Sequence, residues 1–121
     1  MTKKKLITSR ALATIIAQAA LDIKAFDLNV IDVRKHIDFA DFFVILSGRS
    51  DRQVQAICNN ILDKCGKKAV SPLGVEGYNS GHWILMDFGD VIVHIFYEET
   101  RDFYALDKLW GGAPSIQLKV H

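Results

Sequence analysis

The sequence predicts a single α/β (α+β) domain, one mixed β-sheet flanked by helices, and three observations carry that prediction. A chain of 121 residues, 50% hydrophobic and 24% charged, is long enough for one core and too short for two. Segments of helical and of strand period follow in the order helix, strand, strand, helix, strand, strand, strand, helix, which implies a sheet with helices packed on it. The uninterrupted apolar run Phe42-Phe43-Val44-Ile45-Leu46 reads as a strand covered on both faces, the centre of such a sheet.

The first helix is expected over about Ser9 to Ala25, capped by Thr8 or Ser9. Leu12, Ile15, Ile16, Ala19, Ile23 and Phe26 recur there at the spacing of one helical face. Arg10, Thr14 and Gln18 break the apolar stretch behind Lys3-Lys4-Lys5, so the N-terminus reads as an amphipathic helix and not as a secretory leader. No apolar run approaches the roughly 20 residues of a bilayer span, and a cytoplasmic protein with no membrane partner is expected.

Leu28 to Arg34 alternates like a half-buried strand and leads, through His36 and Asp38, to the central strand at Phe42. Ser50 and Gln53 make a capping box for a helix that runs to about Cys65, with Gly66 as its stop. Pro72 limits any strand between Lys67 and Gly77 to a short or edge one. The Phe42 strand, this helix and an edge strand near Val70 form a candidate right-handed crossover. A turn-rich loop from Gly77 to Gly81 precedes two strands, Trp83 to Asp87 and Asp90 to Tyr97, joined by Phe88-Gly89. A last helix over about Glu99 to Trp110 is stopped by Gly111-Gly112-Ala113-Pro114. Residues 1–8 and 111–121 are expected to be flexible ends around a domain spanning 9–110.

Fifteen Lys plus Arg against fourteen Asp plus Glu leave a formal charge of +1, so the chain has no large positive field for sequence-independent phosphate binding. Cys58 and Cys65 are too few for a disulfide framework and are not spaced as a C-x-x-C pair, so they read as reduced thiols. His36, His82, His94 and His121 have no ligand spacing and no close cysteine, and neither a metal nor another cofactor is expected.

The last two strands carry the most information. A two-residue turn pairs Asp87 with Asp90, Leu85 with Ile92 and Trp83 with His94. One face then holds Ile84, Met86, Val91, Val93, Ile95 and Tyr97 and must lie on helices. The other holds Trp83, Leu85, Asp87, Asp90, Ile92, His94 and Phe96, a mixture of large apolar groups, imidazole and carboxylates that suits an interface. Asp87 opposite Asp90 would repel and would be relieved by a cation such as Arg101 or one brought by a partner. The bland alternative is a Trp83–His94 cross-strand pair covered by the chain itself.

Catalytic readings are weak. Asp87-Phe88-Gly89 spells a kinase metal-binding triplet but lacks every other kinase element. Ser47-Gly48-Arg49-Ser50 opens a helix after a strand, where anions bind, yet capping accounts for Ser50 without a phosphate. Neither cysteine has a recognisable base, and His94 beside a tryptophan reads as a packed or contact residue.

Taken in order, the segments Ala40-Asp41-Phe42-Phe43-Val44-Ile45, Ser47-Gly48-Arg49-Ser50-Asp51-Arg52-Gln53-Val54-Gln55-Ala56-Ile57, Val75-Glu76-Gly77, Trp83 through Phe96, and Arg101 through Trp110 closely resemble the ribosomal silencing factor (RsfS, or Iojap) family. The resemblance implies a nucleotidyltransferase-like topology without enzymatic activity, since no Asp-x-Asp pair is present and Asp32 stands alone. It implies a translation repressor that binds the large ribosomal subunit through the ribosomal protein uL-fourteen and blocks subunit joining under nutrient limitation. The partner-facing residues it implies are Trp83, Leu85, Asp87, His94 and Phe96, with Tyr104, Leu106 and Asp107 in addition. Phe42 stands where the family often has tyrosine, and His82 where an acidic residue is common. Self-association through the Trp83 face is the competing use of that surface, and contact of Lys3 to Lys5 with ribosomal RNA would be at most peripheral.

Overall fold

The computed structural model describes residues 7–104 and 112–118. The chain runs α1 (Ser9–Asp22), β1 (Phe26–Asp32), β2 (Phe42–Gly48), α2 (Asp51–Gly66), β3 (Gly74–Glu76), β4 (Trp83–Asp87), β5 (Val91–Tyr97), α3 (Glu98–Tyr104) and β6 (Ser115–Ile116). The strands form one mixed sheet in the order β3-β4-β5-β2-β1-β6. Among the described residues only β2 and β5 pair in parallel; the other neighbours are antiparallel. The mixed α/β fold expected from the sequence is the one observed.

β2 is buried at every position, as its unbroken apolar run requires of a strand with neighbours on both sides and cover on both faces. Its side chains alternate between two cores. Phe42, Val44 and Leu46 join Val30, Ile84, Met86, Val93 and Ile95 beneath α1 and α2. Phe43 and Ile45 point the other way, into a smaller cluster with Ile31, Val33, Ala40, Ile92 and Phe96.

Thr8 caps α1 by accepting from the Ala11 N–H at 3.0 Å, and Leu12, Ile16 and Ala19 are buried on its expected face. The helix stops at Asp22, three residues before the expected end. Lys24 takes a left-handed φ of 66°, while the Lys24 and Ala25 N–H groups bond back to the Leu21 and Ala20 carbonyls. This is the closing pattern usually given to glycine. Phe26 therefore belongs to β1, where Arg49 lies 4.4 Å over its ring. α2 ends at Gly66, but the left-handed residue beyond it is Ala69, φ 60°.

The edge strand between Lys67 and Gly77 is the three-residue β3, after Pro72 and away from Val70. From the pairings it runs parallel to β2, but β4 and β5 lie between them. The segment read as a flexible C-terminal tail contributes β6, which pairs Ser115 with Ile31 and Ile116 with Val30. The expected helix from Glu99 is seen as α3; its continuation toward Trp110 lies outside the described residues.

The candidate docking face

The β4–β5 hairpin has the two faces expected of it but not the expected register. Trp83 pairs with Phe96, Leu85 with His94 and Asp87 with Ile92. The turn is therefore displaced by one residue, to Gly89-Asp90, and is closed by the Phe88 N–H on the Val91 carbonyl at 2.9 Å. A shift of two residues preserves which side chains share a face, because side chains alternate with a period of two. Asp87 and Asp90 do not face each other. Asp87 Oδ1 accepts from the Gly89 N–H at 2.8 Å, and the Asp90 carbonyl accepts from the N–H groups of Asp41 and Phe42. Arg101 serves a different end of the sheet, donating to Ser47 Oγ at 2.9 Å and to the Asp27 carbonyl.

Trp83 is set in place from below and from behind. Its ring stacks on Phe96 with centroids 5.0 Å apart, and its indole N–H donates to His94 Nδ1 at 3.2 Å. Accepting at Nδ1 puts the proton of a neutral His94 ring on Nε2. Phe43 meets His94 edge-on at 5.2 Å. Phe96 is fully buried and His94 is 5% exposed, so these two form the floor of the face. Trp83, Leu85 and Asp87 are half-buried and form what meets solvent.

The loop before Trp83 is strapped to α2. Gln55 Nε2 donates to the Tyr78 carbonyl at 2.8 Å, and Asn59 donates to the Tyr78 hydroxyl at 2.9 Å. Gly77, at φ +83°, passes so close to the Trp83 carbonyl that an added Cβ would lie 2.1 Å from its oxygen. Of the remaining expected site residues, Tyr104 is the last described residue of α3, while Leu106 and Asp107 lie outside the described residues. Phe43 was missed by sequence reasoning. Its parity on β2 is legible, but its place beside His94 depends on the parallel β2–β5 pairing, for which no local signal exists.

Groups that suggested chemistry are engaged otherwise. Ser50 accepts from the Gln53 N–H at 3.1 Å and Gln53 Oε1 accepts from the Arg49 N–H at 2.6 Å, so the start of α2 caps itself. The box is offset by one residue from the usual one, in which the reciprocal bond returns to the cap itself. Asp32 forms a two-point ion pair with Arg34, at 2.9 and 2.7 Å. That hydrogen bonding holds its carboxyl down at about 2. Burial pushes both thiols up, Cys58 and Cys65 each to about 11, which leaves them as inert core groups. Among the described residues no three His, Cys, Asp or Glu side chains gather as a metal site would require, and no helix is long and apolar enough to cross a membrane.

Fold and face together define a small α/β domain that presents an aromatic, acid-edged sheet face. Residues 6–121 match the family described as "Ribosomal silencing factor during starvation", and the chain belongs to that family. It is 38% identical over 112 residues to the ribosomal silencing factor RsfS of Bacillus subtilis, covering 93% of this chain and 95% of that one. It is 40% identical over 106 residues to the chloroplastic protein Iojap of Zea mays, covering 88% of this chain and 46% of that one. A crystal structure of a protein from Chromobacterium violaceum superposes with a TM-score of 0.85 at 31% identity, over 95% of both chains.

Proposed function

We propose that this chain silences ribosomes in the cytoplasm by docking its Trp83 face on the large-subunit protein uL-fourteen, where its bulk blocks joining of the small subunit and represses translation. The supporting observation is the preorganised Trp83, stacked on Phe96 and bonded to His94, beside the half-buried Leu85 and Asp87. Rigid aromatic anchors ringed by complementary contacts are where binding energy concentrates. Trp83 is the anchor, Leu85 adds apolar area, and Asp87 offers a carboxylate to a basic protein. His94 and Phe96 act by holding Trp83, and Tyr104, Leu106 and Asp107 extend the contact. Action is steric and needs neither a cofactor nor a chemical step.

Co-sedimentation with separated ribosomal subunits tests this. Wild type should pellet with the large subunit alone, and Trp83→Ala should weaken binding by about 2 kcal/mol or more, roughly 30-fold, without changing the oligomeric state. Retention by neither subunit, or equal binding by the variant, would refute the proposal.

A further inference from the structure

Around the β4–β5 turn, at one end of the sheet, three segments converge, and apart from Asp87 the Trp83 face does not use them. The Leu73 N–H donates to the Asp87 carbonyl at 2.6 Å, and a Cβ added at Gly89 would meet Leu73 Cδ1 at 3.7 Å. From the other side, the Asp41 N–H donates to the Asp90 carbonyl at 2.7 Å, which carries the loop through Phe39 past the same turn. Phe39 is 69% exposed and Leu73 is 79% exposed, and these are the exposed large hydrophobics among the described residues. Single exposed apolar side chains are ordinary, but these two bracket one turn. The segments 38–41 and 87–91 also contain Asp38, Asp41 and Asp90 beside the turn, with Arg34, 5.3 Å over the Phe42 ring, as the cation nearest Asp41 among the described residues.

We infer that this sheet end is a second docking surface, which takes a cationic protein segment bearing an apolar side chain. Asp38, Asp41 and Asp90 outnumber the neighbouring Arg34, which disfavours a phosphate backbone as the occupant and favours lysine- or arginine-bearing chain. The occupant belongs to the same partner as the Trp83 face, because Asp87 ends β4 on that face and its carbonyl holds Leu73 at the new one. The inference rests in that respect on the function proposed above. The second surface gives the complex a salt-dependent contact and a fixed orientation, which one aromatic anchor does not supply.

The test is titration of the full chain onto purified large subunits at low and high salt. The variants are Trp83→Ala, the double variant Phe39→Ser with Leu73→Ser, and Asp38→Lys. The double variant should bind about tenfold more weakly with unchanged thermal unfolding, since both side chains stand in solvent. Asp38→Lys should weaken binding at low salt, and the deficit should shrink at high salt. If wild type binds and Trp83→Ala does not, but both patch variants bind like wild type, the second surface is refuted and the first stands. Failure of wild type to bind refutes both. A double variant that changes only the elution volume on a sizing column would assign the patch to a second copy of the chain and overturn the inference.

Discussion

Replacing Gly77 by alanine should destabilise the protein and disturb the aromatic cluster together, and Gly89→Ala supplies the control. The two glycines hold nearly the same backbone angle, φ +83° and +87°. An alanine in that left-handed region costs about 1–2 kcal/mol wherever it sits. At Gly89 the added Cβ would meet only Leu73 Cδ1, at an ordinary 3.7 Å. At Gly77 it would stand 2.1 Å from the Trp83 carbonyl oxygen. Carbon and carbonyl oxygen settle at roughly 3.3 Å, so the turn must open by about 1 Å. That opening strains the Gly81 N–H bond to the Gly77 carbonyl, worth about 1 kcal/mol. Gly77→Ala should thus lose about 2–3 kcal/mol where Gly89→Ala loses about 1–2. Urea midpoints separate them by roughly 0.5–1 M. The near-ultraviolet circular dichroism of the Trp83 cluster should change only in Gly77→Ala. Equal midpoints and equal spectra would refute the claim that this close approach sets Trp83.

Two further outcomes follow from the ionisable groups. Asp32 is held at about 2, against its usual 3.8, first by the Arg34 hydrogen bond. Its ionised form is thus favoured by folding, and the stability it adds is present above about pH 4 and is lost as pH falls through about 2. Asp32→Asn should flatten that part of the acid limb in urea midpoints taken from pH 2 to 5, and an unchanged limb would contradict the pairing. Cys58 and Cys65, buried and raised to about 11, should resist iodoacetamide at pH 8 in the native protein and react once urea unfolds it. Labelling of the native protein at the unfolded rate would overturn their place in the core.

Local pattern revealed most of what positions the candidate docking face. The run at Phe42 revealed the central strand, and the alternation from Trp83 to Asp87 and from Val91 to Tyr97 revealed which side chains share a face. Register was less legible, because Phe88-Gly89 looks like a complete turn while the hydrogen bonds close it one residue later, around Gly89-Asp90. The error was even, so the face survived it. The end of α1 was misjudged because Lys24 adopts the conformation that glycine advertises, whereas α2 ends at Gly66 as expected. The parallel β2–β5 contact, which brings Phe43 to His94, joins segments distant in the chain. A contact of that range leaves no local periodicity.

The two edges of the sheet limit the kinds of complex this domain can enter. β3 offers three residues and β6 two, too few for a foreign strand to extend the ladder by main-chain pairing. Partners recruited by strand addition tolerate much sequence drift, because backbone reads backbone. Terminal strands this short shift recognition toward side chains, so in the docking proposed above single substitutions would uncouple the domain from its partner while leaving the fold intact.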